Sequence, residues 1–311
     1  MPRVIGIDPG TVSIDLCGLD DGRLFLDRSW PTAEALAEPA RFVAELEAAG
    51  PLDLVAGPSG YGLPLTRVQA ATEEDLRLAF LAAPGETGGI GGLRGLVRAL
   101  ARSALPVVLT PGVVHLPTVP AHRKVNRVDM GTAEKVCVVA LAVSEQARRL
   151  GRALSNVSLV LLELGGAFTA AVAGWDETIA SPERLAHPTT PAEQLAGDAL
   201  VESAVKTAVA LATAVPSLGE FVLSGRLAHV EPLADAIRQR LEAFAPTRVL
   251  EGFAHTAKEG AQGAALVADG LAGGVNGPLV ERLAIREAQG SVLDHLYVVP
   301  RDQARRRLGL P

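Results

Sequence analysis

Apolar residues follow two rhythms along this chain: short runs bounded by glycine, proline or aspartate, and longer stretches with helical spacing. Residues 4–8 and 13–19 read as two strands, and Asp21-Gly22 marks a turn before a third at 23–27. Helical periodicity runs from 32 to 49 and stops at Gly50-Pro51. Residues 52–56 form a buried-strand candidate closed by Gly57-Pro58-Ser59-Gly60, and 72–81 read as helix. The glycine-rich stretch 85–95 flows into a helix at about 93–104, followed by a strand at 107–109 and an irregular segment at 111–127.

The second half opens with a helix over 132–150. A buried strand at 159–164, a turn at Gly165-Gly166 and a returning strand at 168–173 follow. Then come a long amphipathic helix (191–215), a strand (221–223), a helix (230–243), a short strand (248–250) and a helix rich in small residues (257–272). From Pro278 the pattern gives a helix, a strand at 296–299 and a basic tail. Each half therefore runs strand, glycine turn, strand, and then alternates strands with helices, which argues for α/β layers.

A length of 311 residues suits two cores. With 48% hydrophobic, 21% charged and only 4% aromatic residues, those cores rest on Val, Leu and Ala in an ordinary soluble protein. The net charge of -6 and the lack of a long basic run weaken any role that depends on neutralising nucleic-acid phosphates. No run approaches the ~18 apolar residues of a membrane span, and the amino terminus lacks the pattern of a signal peptide, so a cytoplasmic location is the expectation. Cys17 and Cys137 each sit in an apolar segment and read as buried small hydrophobes.

Three segments could carry chemistry. Ile5-Gly6-Ile7-Asp8-Pro9-Gly10-Thr11 sets an acid at a strand end against a tight turn. There Gly10 lets backbone N–H groups approach a phosphate, Asp8 can hold a hydrated magnesium ion, and Thr11 and Ser13 can add hydroxyl donors. The stretch Leu162-Glu163-Leu164-Gly165-Gly166-Ala167 repeats the device, with Glu163, Gly165 and Gly166 as its working residues. Phe221-Val222-Leu223-Ser224-Gly225-Arg226 ends a strand in small residues, where Ser224 and Gly225 suit packing against a nucleoside and Arg226 can flank it.

The order of these elements resembles the phosphate-1, connect-1, phosphate-2, adenosine and connect-2 segments of the acetate-and-sugar-kinase/Hsp70/actin superfamily. In that alignment 6–11, 132–150, 162–169, 222–226 and 257–274 are the five segments. More narrowly, His115-Leu116-Pro117-Thr118-Val119-Pro120, followed by Asn126-Arg127-Val128-Asp129-Met130-Gly131-Thr132-Ala133, resembles a family labelled predicted butyrate kinase. The resemblance implies an α/β fold of two ribonuclease-H-like (actin-like ATPase) domains, residues 1–152 and 153–311, with an interdomain nucleotide cleft for ATP and Mg2+. Two departures stand out: such kinases carry a basic residue shortly after the first turn where this chain has Ile14 and Asp15, and Glu163 stands where many members have aspartate.

The charged segment 121–129 lies just before the helix at 132. Arg127 or Arg123 can pair a substrate carboxylate or a transferring phosphoryl group, His122 stands beside them, and Asp129 can act as a base or cap the following helix. The glycine-rich stretch 85–95 reads either as a mobile lid that brings Arg94 to a substrate anion or as a flexible surface loop. The leading expectation is an ATP-dependent kinase of a small molecule, with a short carboxylate as first candidate. A non-catalytic ATP-binding sensor or scaffold of the same fold is the alternative. The first motif also resembles that of Holliday-junction resolvases, but those need a basic surface that the charge balance does not favour. Neither nucleic acid nor membrane is an expected partner, and the apolar helices leave room for a homodimer.

Overall fold

The computed structural model describes residues 2–57, 60–86, 92–125, 132–165, 184–185 and 187–311. The chain begins with an antiparallel meander of β1 (Arg3–Pro9), β2 (Ser13–Asp20) and β3 (Arg23–Pro31). Asp21 and Gly22 both take positive φ, 53° and 72°, the backbone that a two-residue hairpin needs to match strand twist. Val4 to Asp8 are buried one after another, so β1 is covered on both faces.

The helix expected over 32–49 is two helices, α1 (Thr32–Ala37) and α2 (Pro39–Ala48). Pro39 has no N–H to continue the first ladder, and its fixed φ suits the first turn of the second. The chain then forms β4 (Leu54–Ala56), β5 (Thr66–Arg67), α3 (Glu73–Phe80), α4 (Leu93–Arg102), β6 (Val107–Leu109), α5 (Ala121–Lys124) and α6 (Ala133–Leu150). Thr72 and Asp75 close a reciprocal capping box on α3. The sheet order is β3-β2-β1-β4-β6-β5, with β4 parallel to both β1 and β6, and β5 antiparallel at the edge. Ile5, Ile14, Phe42, Phe80 and Leu109 lie in one apolar core. Full burial contributes about 1.5–3 kcal/mol for each such side chain.

Further along come β7 (Leu159–Glu163), α7 (Pro191–Ala212), β8 (Glu220–Ser224), α8 (Glu231–Leu241) and β9 (Thr247–Val249). These three strands make a second, parallel sheet, β7-β8-β9. Its core gathers Leu162, Leu200, Phe221 and Ile237. Arg248 bridges the buried carboxylates of Glu145 and Glu220, and Glu220 also pairs with Arg149. The returning strand expected at 168–173 lies outside the described residues.

The last helices are α9 (Glu259–Leu271), α10 (Gly277–Leu283) and α11 (Arg301–Arg307). By packing, Met1–Leu141 and Phe253–Pro311 form one compact unit, and Ala142–Gly252 another. The sequence boundary at 152/153 follows chain order, whereas the packing follows α9 back onto β1. Gly6 makes that return possible, because a Cβ there would run into the Ala261 carbonyl and the Ala265 nitrogen.

No strand forms at 296–299. Leu296 and Val299 instead turn into a small apolar cluster with Val114, Val292, Leu293, Ala304, Leu308 and Leu310, while Tyr297 and Val298 stay exposed. The expected basic tail is α11, held by Ala304 and Leu308, four residues apart on its inner face.

Candidate functional site

Three parallel strands of the first unit, β1, β4 and β6, end on the same side, at Asp8, Gly57 and Thr110. Ligand sites of open α/β sheets lie outside such carboxyl ends. Here the ends border a small open depression, also lined by Thr132, Glu134 and Cys137 at the head of α6 and by Gly260 in the first turn of α9. Two helix N-termini thus meet the strand ends, and each carries partial positive charge suited to an anion.

Asp8 is 4% exposed. Burial pushes its carboxyl well above the usual range, and the charges of Glu134 and Asp15 push further in the same direction against Lys258 and Lys135. The register sets Asp8 directly opposite Asp15, which places like charges side by side on neighbouring strands. Gly260 leaves room for the carboxylate: a Cβ there would lie 2.7 Å from Asp8 Oδ2 and 3.0 Å from Glu134 Cγ. The Thr132 hydroxyl borders the depression and is buried with no hydrogen-bond partner.

The turn after β1 is pinned from outside. Thr32 Oγ1 donates to the Gly10 carbonyl at 2.7 Å, and the Thr32 amide donates to the Val12 carbonyl at 3.0 Å. Lys258 reaches the same turn from the residue before α9, with Nζ 2.6 Å from Ser13 Oγ and 3.1 Å from Asp15 Oδ2. Thr11 is exposed, and Gly10 and Ser13 are half-buried. Cys137 is a spectator, because burial and then the Asp8 charge push its thiol up to about 12. Both cysteines are buried and unpaired.

These residues fit a hard cation of the magnesium class as far as donor chemistry goes. A buried carboxylate crowded by two others, beside an unused hydroxyl, gains from positive charge and offers oxygen ligands. Among the described residues no group of three or more His, Cys, Asp or Glu side chains is arranged to hold a metal by itself.

The second unit brings another predicted set together. Glu163 pairs in register with Ser224, and the Leu164 amide donates to the Ser224 carbonyl at 2.7 Å. Gly225 has φ 81°, and a Cβ on it would sit 3.0 Å from the Leu164 carbonyl. Ser224 is wholly buried, and its hydroxyl has no hydrogen-bond partner. Gly165 follows at the end of β7, and Arg226 is exposed beside Gly225.

Other expected residues lie elsewhere. Arg94, expected on a lid, is buried in α4 and donates to the carbonyls of Ala83 and Glu86. His122 and Arg123 are exposed on the short helix α5 and do not line the depression. Arg127, Asp129 and Gly166 lie outside the described residues. Sequence reasoning missed Thr110, Thr132, Glu134, Lys258 and Gly260. The usable signal was that 132–134 and 258–260 head helices, where anion sites form.

A family profile described as "Protein of unknown function (DUF1464)" matches residues 6–182 and 177–298. No curated protein matches the chain. Among solved structures, an acetate kinase from Porphyromonas gingivalis is similar at 12% identity and a TM-score of 0.53, over 85% of this chain and 98% of that one. A propionate kinase from Francisella tularensis subsp. tularensis SCHU S4 is similar at 10% identity and a TM-score of 0.52, with the same coverage of 85% and 98%. At these identities the likeness shows the fold, an α/β actin-like ATPase fold of the kind those kinases have. Among the described residues no helix is long and apolar enough to cross a membrane.

Proposed function

The chain belongs to the DUF1464 family, and we propose that it is an ATP-dependent kinase of a small molecule. A short carboxylate such as butyrate is the first acceptor to test. One observation carries the reading. Asp8 stands buried at the end of β1, charge-crowded by Glu134 and Asp15, between a glycine turn and two helix N-termini.

In the proposed reaction an acceptor carboxylate oxygen attacks the γ-phosphorus, the bond to the bridging oxygen breaks, and ADP leaves with the electron pair. The product is an acyl phosphate. Such an acceptor is already ionised and needs little general base, so positioning and electrostatics do most of the work. Magnesium, when bound through Asp8, would neutralise charge on the phosphate oxygens. The chain's own part is to offer the backbone amide of Thr11, the hydroxyls of Thr110 and Thr132, and the helix ends at Glu134 and Gly260, while the Gly10 amide donates to the Asp8 carbonyl and Ser13 is held by Asp15 and Lys258. Arg127, Asp129, His122 and Arg123 remain the candidates for holding the acceptor. Glu163, Gly165, Gly166, Ser224, Gly225 and Arg226 remain candidates for the nucleotide.

Calorimetric titration of MgATP into the chain and into Asp8→Ala tests the reading. Saturable binding that weakens in the variant is expected, as is an acyl phosphate trapped by hydroxylamine from acetate, propionate or butyrate. Binding without product across carboxylates and sugars favours the sensor reading, and no binding at all ends both. Ser224→Ala in the same titration tests whether the strand ends of the second unit take part.

A further inference from the structure

The turn and its flanks read Asp8-Pro9-Gly10-Thr11-Val12-Ser13-Ile14-Asp15, with two carboxylates and no base. A phosphate approaching the backbone of Gly10 therefore meets negative charge from Asp8 and from Asp15, which is 1% exposed. Among the described residues, the cation that contacts this turn comes from far along the chain. Lys258 Nζ donates to Ser13 Oγ at 2.6 Å and pairs with Asp15 Oδ2 at 3.1 Å. It also lies against Gly10, where a Cβ would sit 3.2 Å from Nζ.

The lysine is anchored on both sides. At its tip are Ser13 and Asp15. At its base, the Asp27 carboxylate on β3 accepts from three successive amides, His255 at 2.8 Å, Thr256 at 3.0 Å and Ala257 at 2.6 Å. The backbone entering Lys258 is thus tied to the same meander that carries the turn. Even so, the Lys258 side chain stays 48% exposed, whereas its partner Asp15 is buried. A lysine serving only to neutralise a buried acid has no need to lie over the turn glycine with half its surface in solvent.

We propose that Lys258 is the phosphate-binding cation of the turn after β1, contacting the polyphosphate of the nucleotide; the identity of that ligand rests on the reading given under Proposed function. The basic residue absent from positions 14 and 15 is then supplied in space by the residue that precedes α9.

The test is calorimetric titration with MgATP, adenosine and magnesium tripolyphosphate, using the native chain, Lys258→Met, Lys258→Arg and the double variant Asp15→Asn/Lys258→Met. Removing one charge-assisted contact is expected to weaken ATP and tripolyphosphate about 10- to 100-fold. Adenosine binding should not move, and arginine should restore most of the loss. The double variant no longer leaves Asp15 as a buried acid without its lysine, so it keeps the test open if Lys258→Met fails to fold. Native-like tripolyphosphate affinity in Lys258→Met, or in a folded double variant, overturns the proposal. Lys258-dependent tripolyphosphate binding without ATP or adenosine binding sinks the nucleotide reading alone. A native chain that binds none of the three sinks both.

Discussion

Replacing Gly260 with alanine adds one methyl group where α9 faces Asp8, and the consequences for stability and for binding should separate. The new Cβ would lie 2.7 Å from Asp8 Oδ2 and 2.8 Å from its Cγ, whereas ordinary contact begins at 3.4 Å, so the carboxylate must retreat by 3.4 − 2.7 = 0.7 Å. Two terms oppose each other in the folding balance. Alanine in place of a helical glycine contributes about 0.5–1 kcal/mol, and pushing Asp8 off its rotamer costs about 0.5–1.5 kcal/mol. The net change is expected to stay within about 1 kcal/mol, close to invisible in a urea titration. Binding enjoys no such cancellation. A catalytic group misplaced by about 1 Å costs on the order of 100-fold, so MgATP affinity or transfer should fall about 10- to 100-fold. Gly95→Ala is the control, since nothing lies within 4 Å of a Cβ there. It should stabilise by about 0.5–1 kcal/mol and leave ATP binding alone. A Gly260→Ala chain that binds MgATP as tightly as its parent would refute the placement of Asp8 beneath α9.

Other substitutions probe the same packing. Burial and then the Glu134 charge raise the Asp8 carboxyl well above the ordinary aspartate value of about 3.9. Its contribution to stability is therefore complete below that pH and is lost as pH rises through the folded value. Asp8→Asn should then stabilise the chain at pH 7, gain less near pH 4, and lose ATP binding; urea titrations at the two pH values decide it. Asp27 behaves oppositely: burial raises its carboxyl, but the amides of Ala257, His255 and Thr256 outweigh that and hold it below the ordinary range. The stability it lends is present above the unfolded pKa and lost as pH falls through the folded one, so Asp27→Asn should lower Tm at neutral pH and change little in strong acid. Gly263→Ala drives a Cβ into the Cys137 carbonyl oxygen and should cost about 1–3 kcal/mol or more, enough to drop Tm by several degrees; an unchanged melting curve contradicts the contact of α9 with α6.

Much of this architecture is local in origin and so was legible. The β1–β2–β3 meander follows from apolar runs broken at Asp8-Pro9-Gly10 and at Asp21-Gly22, and the small residues of α9 announce a helix that packs closely. Asp8 was found because an acid and a glycine stand together at a strand end. What escaped depends on distant packing. Leu296 and Val299 have strand-like neighbours in sequence, yet their burial is set by Val114 and Leu308. Arg94 reads as a lid cation until the carbonyls of Ala83 and Glu86 claim it. Thr110, Glu134 and Gly260 reach one depression only because β6, α6 and α9 converge on the end of β1, a register that no local pattern encodes.

Asp15 shows how far such a register can change the meaning of a residue. In sequence it stands where the kinases that the chain resembles carry a base, and it reads as a departure from their pattern. In space it is the buried anchor of Lys258. Its effect on an anion then depends on whether the lysine is present: with Lys258 it holds the cation over Gly10, and without Lys258 it is an unpaired buried charge that repels phosphate. Lys258→Met alone should therefore bind tripolyphosphate more weakly than Asp15→Asn/Lys258→Met, even though the double variant has lost both partners. If Asp15 were only a structural acid with no influence on the turn, the two variants would bind alike, and that equality would separate a fold-level ion pair from one built around an anion.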